Sequence, residues 1–135
     1  MSRFKSTPVQ LKGRWPPSMK DKYTISAAHH VPANIIRPSY VGIKHQYHSL
    51  DGKPYVIPPE KIPGMKAASK LAARTLKHAL DNTKPFMTLD EIDKIVHDFI
   101  VADGSYPSAI DFMGFPKSVC LSVNDVVSHG VPNNY

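Results

Sequence analysis

Proline placement constrains this chain more than any other feature. Nine of its thirteen prolines fall within residues 1–63. Each proline holds φ at about −65° and removes a backbone donor. Each also pushes the residue before it toward extended backbone. Regular secondary structure is therefore expected only beyond Pro63, in little more than half of a 135-residue chain that is itself the length of one domain.

Charge follows the same division. Residues 1–50 hold eight Lys/Arg against a single acid, Asp21, a net of +7, whereas residues 51–135 hold nine against ten, a net of −1. The high isoelectric point thus belongs to the N-terminal arm. A basic arm suits nucleic acid, an anionic membrane or a targeting role. Cys120 is the one cysteine, so an intramolecular disulfide is impossible and a disulfide-stapled secreted fold is excluded. The longest apolar run, Ile92 to Ala102, is broken by Asp93, Lys94, His97 and Asp98. It falls short of the ~18 apolar residues that span a bilayer. The N-terminus lacks the apolar core of a secretory signal.

Three segments follow from these patterns. Residues 1–30 read as a basic arm, extended or disordered, that serves either as a targeting segment or as a plain flexible leader. Phe4, Trp15 and Tyr23 interleave with its cations, a pattern able to stack on single-stranded RNA; a solvated or cleaved leader is the simpler reading. Residues 31–62 read as an extended strap, with Tyr40, Val41, Tyr55, Val56 and Ile57 as its expected anchors. Residues 63–135 read as the folded unit.

Within that unit, Met65, Ala68, Leu71, Ala72, Leu76, Ala79 and Leu80 recur at helical spacing, and Asn82 with Pro85 ends the run. Thr88-Leu-Asp-Glu91 has the capping-box pattern of a second helix. Its expected apolar face is Ile92, Ile95, Val96, Phe99 and Ile100, and Gly104 lies at its exit. Asp90, Glu91, Asp93 and Asp98 fit a solvated helix face better than a metal site. Val119, Leu121 and Val123 alternate with Cys120 and Ser122, Asn124-Asp125 signals a turn, and Val126-Val127 reads as a return strand. The predicted order is helix, helix, β-hairpin. His45-x-x-His48 and His29-His30 are too poor in ligands to make a convincing metal site.

Tyr106-Pro107-Ser108, Phe115-Pro116-Lys117-Ser118-Val119-Cys120, Ser122-Val123-Asn124 and His129-Gly130-Val131-Pro132 appear in one series. This series closely resembles type-1 methionine aminopeptidases, most of all their organellar branch. The weaker Val31-Pro32…Ile35-Ile36-Arg37-Pro38-Ser39-Tyr40 pattern is similar to the linker before the catalytic domain in eukaryotic members. The resemblance implies an α+β fold, the N-terminal part of a pita-bread metallopeptidase. It also implies removal of the initiator Met from new proteins by a water activated between two divalent ions, Co, Mn, Fe or Zn.

Residue by residue, the resemblance implies that His129 hydrogen-bonds the scissile amide and helps stabilise the transition state. Phe112, Phe115 and Cys120 are implied to line the pocket for the methionine side chain. The departures are Phe112 in place of a usual Tyr, Ser128 in place of a usual Cys, Ala109-Ile110 in place of Pro-Leu, unusual Asp111 and Met113, and Asn133 in place of a common Asp. The family's metal ligands lie downstream of Pro132. The expectation is therefore a chain that binds no metal and is inactive alone. The alternatives are a non-catalytic component of a larger assembly such as a ribosome, or half of a split enzyme completed by a C-terminal half. A peptide with an N-terminal Met is the substrate implied for the complete enzyme, and a mitochondrion or other organelle is the expected location, with the cytoplasm as alternative.

Overall fold

The computed structural model describes residues 23–43 and 56–135. Tyr55, His45 and His48, singled out above, lie outside the described residues, as does most of the basic arm.

A short 3-10 turn, Pro59–Lys61, leads into helix α1, Ile62–Asn82. Pro63 in the first turn costs α1 no hydrogen bond, because a first-turn N–H has no intrahelical partner. The helix stops at Asn82, where the Thr83 N–H and hydroxyl both donate to the Ala79 carbonyl, at 2.9 and 2.8 Å. The Asn82 amide donates to the His78 carbonyl at 2.8 Å. Helix α2 spans Leu89–Ala102 and opens on the expected capping box. The Thr88 hydroxyl accepts from the Glu91 N–H at 3.2 Å, and the Glu91 carboxylate accepts from the Thr88 N–H at 2.7 Å. These bonds hold the Glu91 carboxyl below its ordinary value. Gly104, with φ 77°, takes the left-handed exit that a side chain would strain.

The helices meet where the His78 ring stacks on Phe99 at 4.3 Å and Arg74 pairs with Asp103. The predicted apolar face of α1 is only partly covered. Met65, Leu76 and Leu80 are exposed, and Thr75 is the one buried residue of the helix. This face borders an open apolar groove of about 510 Å³, whose opposite wall includes Val96, Ile100, Tyr106 and Val119.

Helix α2 also departs from expectation. Its buried residues are Leu89, Asp93, Val96 and His97, whereas Ile92, Ile95, Phe99 and Ile100 are half-buried. Asp93 therefore does not belong to a solvated face. On its Asp93–His97 side α2 meets polar groups, the Ser118 and Val119 N–H groups and the His30 carbonyl, while another side meets α1.

Residues 23–43, the end of the expected arm together with the start of the expected strap, have no helix or strand and run across the folded unit as one stretch, called the strap from here on. Val31 and Ile35 are 5% exposed and form a core with Ile110, flanked by Val101 and Tyr106. The strap is thus anchored by Val31 and Ile35. Tyr40 and Val41 are half-buried, Ile57 likewise, and Val56 is exposed. At its start the strap lies beside residues 133–135. The Asn134 N–H donates to the Thr24 carbonyl, the Thr24 N–H donates to the Asn134 side chain, and the Tyr23 and Tyr135 rings meet edge to face at 4.8 Å. The Asn133 and Tyr135 carbonyls accept from the Asp90 and Leu89 N–H groups, so the same segment covers the start of α2.

Among the described residues no strand forms. The hairpin expected over Val119–Val127 is present only as a turn, Val126 N–H to Val123 carbonyl, and one bond between the arms, Leu121 N–H to Gly130 carbonyl at 2.9 Å. An isolated two-stranded hairpin is marginal, and no third strand supports this one. No helix among the described residues is long and apolar enough to cross a membrane.

Candidate functional site

Two loops build the site. Residues 108–116 leave the strap-bound core in a tight course with Asp111, Met113 and Gly114 at φ 64°, 53° and 80°. The Asp111 N–H donates to the Phe115 carbonyl at 2.7 Å, and the Phe115 N–H donates to the Phe112 carbonyl at 3.0 Å. This closure turns Phe112 and Phe115 toward one side. Residues 117–131 supply the rest.

Gly130 sits where two backbones nearly touch. A Cβ there would lie 2.1 Å from the Leu121 carbonyl oxygen, so only glycine fits without displacing a backbone. The close approach places His129, itself at φ 52°, beside Cys120, with Nδ1 4.0 Å from Sγ. Phe112, Phe115, Cys120 and His129 line one groove of about 440 Å³ together with Met113 and Val131. Cys120 and His129 are exposed at its edge, so solvent and a ligand can both reach them.

Behind this groove lies a polar network that sequence reasoning missed. Asp93 is fully buried and its Oδ1 accepts from the Ser118 and Val119 N–H groups at 2.8 and 3.1 Å. A helix carboxylate thereby pins the loop that carries Cys120. Burial pushes the Asp93 carboxyl above its ordinary range, against the pull of those amides and of Lys117. Lys117 is also fully buried; its Nζ donates to Asp90 Oδ1 and to the Ser26 hydroxyl, each at 2.7 Å. His97 bridges in the same way, with Nδ1 2.9 Å from Ser118 Oγ and Nε2 3.1 Å from the His30 carbonyl. His29 Nε2 lies 3.5 Å from Asp93 Oδ2. The strap, helix α2 and the pocket loop are therefore tied through one cluster. A signal for it existed: Leu89, Asp93, Val96, His97 and Ile100 follow helical spacing as one stripe.

The network carries a pH dependence with a definite sign. Burial lowers the His97 imidazole below its ordinary 6.5 and the neighbouring His29 acts in the same direction, while the His30 carbonyl, Asp98 and Asp93 oppose. The folded chain therefore holds His97 neutral where the unfolded chain already binds a proton. Stability from this group is present above 6.5 and is lost as pH falls through 6.5 toward the lowered value. Asp93 acts in the opposite sense, from the ordinary 3.8 upward to its raised value. Urea denaturation at pH ~7.5 and ~5.5 should show a lower midpoint in acid, and His97→Gln should flatten that difference.

Residues 63–135 match the model of a protein family described as "Metallopeptidase family M24". The chain is 48% identical over 107 residues to the chloroplastic methionine aminopeptidase 1B of Arabidopsis thaliana, covering 77% of this chain and 28% of that protein. It is 41% identical over 113 residues to the mitochondrial methionine aminopeptidase 1D of Homo sapiens, covering 82% of this chain and 32% of that protein. Among solved structures, the methionine aminopeptidase of Rickettsia prowazekii superposes with a TM-score of 0.58 at 37% identity, covering 62% of this chain and 34% of that one. The chain thus spans about a third or less of the length of these relatives.

Proposed function

The chain belongs to metallopeptidase family M24, and we propose that it supplies the methionine side-chain pocket and the catalytic histidine of a type-1 methionine aminopeptidase. The observation that carries this reading is the convergence of Phe112, Phe115, Cys120 and His129 on one apolar groove. Aromatic rings and a polarizable thiol suit a flexible thioether, and each sulfur–aromatic contact adds about 0.3–1.5 kcal/mol. The His129 imidazole at the rim can donate from one ring nitrogen to the amide being cleaved while the other accepts. In this reading the groove takes the first side chain of a peptide and His129 holds the bond that follows it.

A metallopeptidase family implies bound metal. Among the described residues no group of three His, Cys, Asp or Glu side chains is placed to hold a metal ion. These residues do not fit a metal centre, and no step is assigned to one. We place hydrolysis in a complete assembly of the relatives' length, to which this chain contributes substrate recognition and proton management. The chloroplastic and mitochondrial relatives support an organellar location, which a fluorescent fusion would test.

The deciding experiment is co-expression of the full chain with the metal-ligating portion of a mitochondrial relative. Release of methionine from a Met-Ala-Ser peptide by the pair, absent from either part alone, is the expected result. A soluble monomeric chain that ignores its counterpart and restores no activity would sink the reading. The protein would then be a binding component of a larger assembly.

A further inference from the structure

The loop that presents Phe112 and Phe115 is held by more than its own internal bonds. Its three left-handed residues, Asp111, Met113 and Gly114, include two that are not glycine, a geometry that persists only when neighbours over-determine it. Those neighbours come from the strap. The Tyr40 hydroxyl donates to the Ser108 carbonyl at 2.5 Å, where the loop begins. The Gly42 N–H donates to Asp111 Oδ2, at the first left-handed residue. The Tyr40 ring meets the Phe112 ring edge to face at 5.3 Å.

Gly42 is itself at φ 82°, which lets the strap turn its N–H toward the loop. The Tyr40 phenol is held above its ordinary range, chiefly by burial and further by Tyr106 and Asp111, so it stays a donor at neutral pH. These contacts join segments some seventy residues apart, |i−j| being 68 and 69.

We infer that Tyr40 and Gly42 are positioning residues of the side-chain pocket: the strap locks loop 108–115 through Ser108, Asp111 and Phe112, and so sets the pocket's shape and its preference for an unbranched side chain. The clause on preference rests on the methionine reading above; the lock itself does not.

The test uses the full chain. Hydrogen exchange is followed at the Gly114 and Phe115 amides, with the amides of α2 as internal control. Losing one tie should raise exchange in the loop about tenfold in Tyr40→Phe and in Asp111→Ala. Asp111→Asn keeps an acceptor for the Gly42 N–H and should stay near wild type. Tyr40→Ala also removes the ring and should exceed Tyr40→Phe; if it fails to fold, the Phe and Asn variants still decide. NMR titration with L-methionine and L-leucine gives the second arm, the affinity ratio falling at least about threefold in Tyr40→Phe. Loop exchange unchanged in Tyr40→Phe and Asp111→Ala, or raised equally in α2, overturns the lock. Raised loop exchange in a wild-type background that prefers neither amino acid upholds the lock and removes the methionine reading instead.

Discussion

In the co-expressed pair, His129→Ala should lower methionine release by about 10²–10⁴-fold, the range that one positioned acid–base group contributes. The argument is geometric. His129 stands at the rim of the groove that holds Phe112, Phe115 and Cys120. Its backbone is left-handed, and the next residue is a glycine pressed against the Leu121 carbonyl. The side chain is therefore aimed by its neighbours and cannot be replaced in function by a shift of the chain. The loss should fall on kcat with KM little changed, because the apolar groove still grips the first side chain. Gly130→Ala offers an independent check. Its Cβ would force Leu121 away, move His129, and lower kcat without touching the imidazole. A His129→Ala pair with wild-type kcat would remove the histidine from the mechanism.

The second large effect concerns stability. Asp90→Ala should destabilise the chain by about 3 kcal/mol, the lower end for breaking a buried ion pair. Lys117 has no exposed side-chain surface, and its ammonium is held by Asp90 and Ser26. Without Asp90 the ammonium keeps the Ser26 hydroxyl and the non-bonded charge of Asp93, and burying a charge without its direct counter-ion is costly. Asp90 is itself 21% exposed, so some water can enter, which is why the lower end applies. The double variant Asp90→Ala/Lys117→Met should recover most of the loss, since an apolar chain of similar length fills the site without a charge. Urea denaturation of the unchanged chain and the two variants measures both numbers. A double variant no more stable than Asp90→Ala would show that the pair acts through more than charge burial.

The helices were legible because their signals are local. Thr88 and Glu91 bond each other across one turn, so the capping box stands in the sequence as it does in the structure. Asn82 ends α1 for a similarly short-range reason. The series from Tyr106 to Pro132 was specific enough to indicate the family that the comparisons then supplied. The four pocket residues were also nameable, but only through resemblance; nothing in their spacing says that Phe112 and His129 share a groove.

Tertiary structure decided what each face meets. Helical period makes a stripe, but the partner chooses which stripe is buried. In α2 that partner is a strap and a loop rich in backbone amides, so Asp93 and His97 go inside and Ile92 and Ile95 stay half-covered. There Asp93 Oδ1 accepts two N–H groups, and an isoleucine would leave both amides unpaired. Of the strap's expected anchors, Tyr40, Val41 and Ile57 are half-buried and Val56 is exposed, whereas Val31 and Ile35 are buried against Ile110 across the chain. By itself, then, the sequence determined where helices begin and end, because those bonds close within a turn. The burial of Lys117 and Asp93, the docking of the strap and the shape of the pocket loop come from contacts spanning tens of residues, whose stability depends on partners that no local pattern encodes.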